Sequence, residues 1–236
     1  MIKGILFDYG GTLDTAALHW SYVIYEGYIQ AKIKLSQDNF RDAYVYAEKA
    51  LAKTRYILPT DDFFTLLHKK VNLEIEYLIA NDMWIPTNYE ERAKAINNIA
   101  LYCDNFARNK VKESSTILKY LSKKYKMVMV SNFYGNLYTV LNNYGIAKYF
   151  EKIVESAIIG IRKPDPTIYK VGVETIGYKP EECIVIGDSF TKDIIPGQKN
   201  GCKTIWFKGK EWKDTDYDES IPSYIISSLK DILNIL

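Results

Sequence analysis

The chain of 236 residues is 47% hydrophobic and 25% charged, and its 31 basic against 29 acidic side chains leave a formal net charge of +2. That composition excludes an intrinsically disordered chain, and so even a charge balance gives no electrostatic reason to expect nucleic acid or a membrane surface as partner. The three cysteines, Cys103, Cys183 and Cys202, form no CxxC pair, so neither a disulfide framework nor a zinc ribbon is expected, and reduced thiols in the cytoplasm are the natural reading.

In chain order, residues 2–7 form a short apolar run that ends in Asp8-Tyr9-Gly10-Gly11-Thr12. The run is too short for a secretory signal and reads as a buried strand followed by a turn. Residues 16–108 have helical character throughout. A first helix is expected near residues 20–35. Ser36 caps a second that runs to Lys53, Thr60-Asp61-Asp62 opens a third, and Thr87-Asn88-Tyr89-Glu90-Glu91 opens a fourth, with Pro59 and Pro86 in the breaks. From Ser114 onward helices and strands alternate. Helices are expected to Lys124 and over 137–143, 167–176 and 194–200. Strands are expected over 127–130, at Ile153 and Val154, and over 183–186 and 204–207. The polar, acidic segment 211–219 reads as a surface loop. No apolar run approaches the roughly 18 residues of a spanning helix. Alternating apolar strands and helices predict an α/β fold, a Rossmann-like parallel sheet covered on both faces. Residues 1–15 and 110–236 are expected to form this core, with residues 16–109 an all-helical insert after the first strand.

Open parallel sheets bind ligands beyond the carboxyl ends of their strands, at the point where the strand order reverses. Three of the expected strands end in reactive residues: Asp8, then Ser131-Asn132, then Gly187-Asp188-Ser189. Lys163 lies in the loop Gly160-Ile161-Arg162-Lys163-Pro164-Asp165-Pro166. Two carboxylates, a hydroxyl and an ammonium on one rim form a constellation that a single strand-end aspartate does not.

These segments resemble, in order, the four motifs of the haloacid dehalogenase-like (HAD) hydrolase superfamily. Phe7-Asp8-Tyr9-Gly10-Gly11-Thr12-Leu13 is similar to the first, Val130-Ser131-Asn132 to the second, Lys163-Pro164 to the third and Gly187-Asp188-Ser189-Phe190-Thr191-Lys192-Asp193 to the fourth. The helical insert resembles the family's C1 cap. The resemblance implies a Mg²⁺-dependent phosphatase of small phosphorylated metabolites, with Asp8 as the nucleophile that forms an aspartyl-phosphate. Mg²⁺ would lie between Asp8, the backbone carbonyl of Gly10 and Asp188, an oxygen set that suits this ion. Lys163 would pair with Asp8 and the phosphate. Ser131, with the Asn132 and Gly11 N–H groups, would hold the transferring oxygens. Thr12 would orient Asp8, and Asp193 would support Lys163 or a metal-bound water.

The chain departs from the pattern at one position. Two residues after the nucleophile the family's phosphatases carry a second aspartate for proton transfer, and here that residue is Gly10. Asp14 or His19 is a candidate substitute, His19 as a substrate-facing residue of a closing cap. Alternatively the leaving group needs little protonation, or the protein binds phosphate ligands with weak or no turnover. A 2-haloacid dehalogenase is the lesser reading, because Gly187-Asp188 favours a metal site. Carbon–phosphorus hydrolysis would require a cap lysine at the site, such as Lys32, Lys49 or Lys53.

Overall fold

The structure, a computed structural model, describes residues 1–212 and 215–236. Among the described residues, six strands form one wholly parallel sheet: β1 (Gly4–Phe7), β2 (Lys126–Ser131), β3 (Lys152–Glu155), β4 (Cys183–Gly187), β5 (Lys203–Phe207) and β6 (Tyr224–Ile226). Their spatial order is β3-β2-β1-β4-β5-β6. The chain starts at the centre, builds outward through β2 and β3, and returns on the other side with β4. The order therefore reverses between β1 and β4, which is where such sheets open a crevice.

Period-two alternation in β1 divides the core. Ile5 and Phe7 join Met127, Met129, Ile184 and Ile186 on one face, packed by Ile117, Leu118 and Leu121. Leu6, in register with Val128 and Val185, turns to the other face against Ile168, Tyr169 and Val173. All four residues of β1 are buried, as a central strand covered on both sides requires.

The insert after β1 comprises α1 (Trp20–Gln30), α2 (Gln37–Lys53), α3 (Phe63–Ala80) and most of α4 (Tyr89–Leu121). Its expected caps form. The Ser36 hydroxyl accepts from Asn39 N–H at 3.2 Å, Asp62 Oδ1 from Thr65 N–H at 2.8 Å and Asn88 Oδ1 from Glu91 N–H at 2.8 Å. The remaining helices are α5 (Leu137–Asn143), α6 (Ser156–Ile159), α7 (Thr167–Ile176) and α8 (Ile195–Lys199). Cross-links tie the insert to the sheet layer: Asn136 Nδ2 donates to Asp61 O at 2.9 Å and Thr139 Oγ1 to Pro59 O at 2.6 Å. No helix among the described residues is long and apolar enough to cross a membrane.

Several elements differ from the sequence reading. The first helix ends at Gln30 rather than near residue 35, and Lys32 beyond it adopts φ 61°. The fourth helix and the helix expected from Ser114 are one: α4 runs 33 residues without a break. No glycine or proline interrupts it, so nothing stops propagation. The expected core–insert boundary at 109/110 falls inside this helix. The helix expected over 194–200 is preceded by a π-helical turn, Phe190–Ile194, a form that favours functional sites. β6 was not anticipated; it has three residues, two of them exposed. Segment 211–219, of which Lys213 and Asp214 lie outside the described residues, is not simply a surface loop. The Trp212 ring packs 4.9 Å from Tyr44 and 5.2 Å from His19, and Tyr217 stacks on Phe190 at 4.3 Å.

Candidate active site

Asp8 is the first residue beyond β1, and its N–H extends the ladder to Ile186 O at 2.9 Å. Its carboxylate is 8% exposed and lies among donors from three other segments. Oδ1 accepts from Lys163 Nζ at 2.6 Å and from Ser131 Oγ at 3.2 Å, and Oδ2 faces the Thr12 hydroxyl at 3.2 Å. The same hydroxyl lies 3.0 Å from Asp188 Oδ1 and accepts from Asp188 N–H at 3.0 Å. With one proton to donate, Thr12 links the ends of β1 and β4.

Lys163 is the hub. Its ammonium, 2% exposed, bridges Asp8 and Asp193, the latter at 2.7 Å. Asp193 is held in turn by Tyr169 OH at 2.8 Å and by Ser189 N–H at 3.0 Å, within the turn after β4. The loop that carries the lysine is clamped by the Asn132 amide, which donates to Lys163 O at 3.0 Å and accepts from Lys163 N–H at 2.9 Å. Burial disfavours this ammonium, but Asp193 and Asp8 outweigh it and hold the Lys163 pKa above its ordinary value. Burial pushes the Asp8 carboxyl up against the pull of Lys163. Asp188 is pushed well above the carboxylate range by burial and then by Asp8 and Asp193.

The cluster also carries an excess of negative charge. Asp8, Asp188 and Asp193 each offer an oxygen, all within 4.8 Å of one another. Set against Lys163, three carboxylates leave two negative charges uncompensated. All three carboxylates and Gly10 line one cavity, and Asp193 is the one held by Lys163, Tyr169 and the Ser189 N–H together. Hard oxygens with a surplus of two charges fit a divalent cation such as Mg²⁺.

Gly11 and Asp14 differ from expectation. Gly11 has φ 95°, and a Cβ there would run into the Asp188 carboxylate, so only glycine fits. Its N–H, expected to face phosphate oxygens, is committed to Asp14 Oδ1 at 2.7 Å. Asp14 Oδ2 accepts from Trp20 Nε1 at 3.1 Å. Burial raises the Asp14 carboxyl to about 7, but each oxygen already takes an N–H, so this residue fastens the turn to α1 rather than facing a leaving group. His19 lies on the cavity wall and caps α1 through Nδ1, which accepts from Ser21 N–H at 3.2 Å. Burial, followed by Lys192 and Lys70, lowers its pKa to about 4, which keeps the ring neutral and a weak proton donor.

The family profile described as haloacid dehalogenase-like hydrolase matches residues 2–201. The chain belongs to that family. It is 34% identical over 89 residues to a glyceraldehyde 3-phosphate phosphatase of Pyrococcus furiosus, covering 37% of each protein. It is 32% identical over 93 residues to a pyrimidine 5'-nucleotidase of Streptococcus pneumoniae, covering 39% of this chain and 38% of that one. The chain thus spans less than two-fifths of the length of these curated relatives. Among solved structures, a magnesium-bound HAD-hydrolase of Bacillus subtilis superposes with a TM-score of 0.61 at 18% identity over 100% of this chain and 98% of that one, which is a likeness of fold.

The cavity of this HAD-like hydrolase measures about 420 Å³ and is roofed by the helical insert, within the range of small-molecule sites. Lys32, Lys49 and Lys53, the cap lysines considered from sequence, are exposed and do not line it. Lys70 does. It is 4% exposed, sits on α3 and forms an ion pair with Glu48 of α2. The sequence reading missed this pair. Its signal was present: Lys70 and Glu74 fall on the apolar stripe Phe63, Leu66, Leu67, Val71 and Leu78, all buried, where a charge needs a reason.

Proposed function

We propose that this protein is a magnesium-dependent phosphatase of small phosphorylated metabolites, working in the cytoplasm through an aspartyl-phosphate on Asp8. The observation that carries the reading is the buried Lys163 ammonium at 2.6 Å from Asp8 and 2.7 Å from Asp193, beside Asp188 at the strand-order reversal. A phosphate dianion and a carboxylate repel each other, and a fixed ammonium lets both approach. An Asp8 oxygen attacks phosphorus, the ester P–O bond breaks, and the leaving oxygen takes a proton from solvent, because position 10 has no side chain. Water then attacks phosphorus, the bond to Asp8 breaks, and the free carboxylate returns. Ser131 and Thr12 orient Asp8, and Asn132 and Asp193 fix Lys163. Asp8, Asp188 and the Gly10 carbonyl would hold Mg²⁺. When bound, the ion neutralises charge on the transferring group.

Residues 16–109 act as a cap that covers one side of the cavity and limits its access to bulk water. The phosphatase and nucleotidase relatives support this reading of the chemistry. Hydrolysis of p-nitrophenyl phosphate with Mg²⁺, abolished by EDTA and by Asp8→Asn, is the expected result. No turnover across a broad panel of phosphate esters would overturn it. Gly10 favours a second reading, a phosphate-ligand binder with little turnover, for which phosphate analogues would bind without hydrolysis of any ester.

A further inference from the structure

The cap wall of the cavity carries a second polar constellation that phosphoryl transfer does not use. The ammonium of Lys70, on α3, is bonded to Glu48 Oε1 and lies 4.2 Å from the centre of the Tyr44 ring. Tyr134, from the loop after β2, donates its hydroxyl to Glu48 at 3.2 Å to Oε1 and 3.4 Å to Oε2. The Lys70 side chain is 6% exposed and that of Glu48 31%, and both residues line the cavity. Burial opposes the Lys70 charge, yet Glu48 holds its pKa well above the ordinary value, so the ammonium is maintained.

Among the described residues Glu48 is the sole hydrogen-bond acceptor for Lys70, and an ammonium has three donors. Beyond Glu48 the ammonium meets the face of the Tyr44 ring and keeps donor capacity in a residue that lines the cavity. Glu48, for its part, holds Oε2 through one long contact and keeps acceptor capacity. Lys70 is buried and Glu48 is open to the cavity, so a ligand that enters can complete the pair's hydrogen bonds. Trp20, Tyr134 and Trp212, each half-buried, line the same cavity. Their flat faces suit a planar ring better than a flexible chain.

Resting on the phosphatase reading, we propose that Glu48 and Lys70 select the leaving group: a flat heterocycle that presents a carbonyl to Lys70 and a neighbouring N–H to Glu48, joined to the phosphate through a sugar-sized spacer. Sugar phosphates without such a ring fill the catalytic end alone.

The test compares uridine 5'-phosphate with ribose 5-phosphate, which share the phosphate and the sugar and differ in the ring. Wild type is expected to favour the former in kcat/KM by about 10- to 100-fold, the range for hydrogen bonds to charged groups. In Glu48→Gln, and in the charge-neutral double variant Glu48→Gln with Lys70→Met, that ratio should fall towards one. Melting temperatures establish that each variant is folded. Losses equal for both substrates, leaving the ratio intact, would show a purely structural pair and overturn the inference. Equal or better turnover of ribose 5-phosphate by wild type would do the same. If wild type hydrolyses neither compound nor p-nitrophenyl phosphate, the phosphatase reading is the one that fails. Calorimetric binding of uridine 5'-phosphate, lost in the double variant, would then still support the recognition site, and its absence from wild type would refute it.

Discussion

Gly10→Asp tests the chemistry at its weakest point. A Cβ built on Gly10 has no neighbour within 4 Å, and the residue lies outside the left-handed region, so the backbone accepts a side chain there. The new carboxyl would enter the cavity beside Asp8 and Asp188. General acid–base catalysis contributes about 10²- to 10⁴-fold, which corresponds to roughly 3–5 kcal/mol of barrier. Two opposing effects shape the outcome. With Mg²⁺ bound the cluster's surplus of two negative charges is neutralised; a new carboxylate restores a surplus of one and weakens binding of a phosphate dianion, so the gain should show in kcat more than in kcat/KM. The gain should also depend on the leaving group. A nitrophenolate departs without a proton, whereas a primary alkoxide does not. Steady-state kinetics over a series of phosphate monoesters with saturating Mg²⁺ reads this directly. Wild type is expected to show a steep dependence of log kcat on leaving-group basicity, and the variant a shallow one, with alkyl esters accelerated about 10²-fold or more. An unchanged or lower kcat on alkyl esters, in a variant that melts like wild type, would mean that another group already transfers the proton or that proton transfer does not limit turnover.

Two further perturbations act on stability. Lys163→Met leaves Asp8 and Asp193 facing each other without their shared cation. Breaking a buried pair costs about 3–5 kcal/mol, or roughly 6–20 °C in Tm for a chain of this size, and Mg²⁺ should recover part of the loss; an unchanged Tm in EDTA would contradict the charge bookkeeping. Glu74 is fully buried, accepts from Tyr28 OH at 3.0 Å, leaves Oε1 unpartnered, and is raised by burial from 4.5 to about 7. The folded state therefore holds its proton more tightly than the unfolded chain. Its contribution is fully present below pH 4.5 and is lost as pH rises to about 7, a loss of about 3 kcal/mol. Glu74→Gln should be progressively more stable than wild type over that interval in urea titrations, and parallel curves would sink the assignment.

The Asp8 end of the candidate site was legible because its residues lie next to strand ends in the sequence. Asp8, Ser131 and Asp188 each follow a buried apolar strand, and a parallel sheet delivers all strand ends to one rim. Lys163 and Asp193 end no strand, and their roles were expected from the resemblance to the third and fourth family motifs. The destination of the Gly11 N–H was not legible, because it depends on whether the turn folds back on Asp14, a choice that Trp20 on α1 decides. The specificity wall was harder still. Glu48, Lys70 and Tyr134 come from α2, α3 and the loop after β2, and only packing brings them together. A lysine on an apolar stripe signals burial, yet says nothing of its partner. The continuity of α4 was hidden by a change in pattern near Ser114, where the face buried in the insert gives way to the face buried on the sheet. Composition changed there while helix propensity did not.

That continuity makes the two connections between insert and core unlike. At 33 residues α4 is a rod of about 50 Å, rooted at one end under the sheet by Ser114 Oγ, which donates to Leu13 O at 2.8 Å. The other tether, between β1 and α1, includes Ala16 and Ala17 at φ 56° and 60°, a conformation that costs an alanine roughly 1–2 kcal/mol. One connection is thus a single continuous rod, and the other holds local backbone strain close to Asp14.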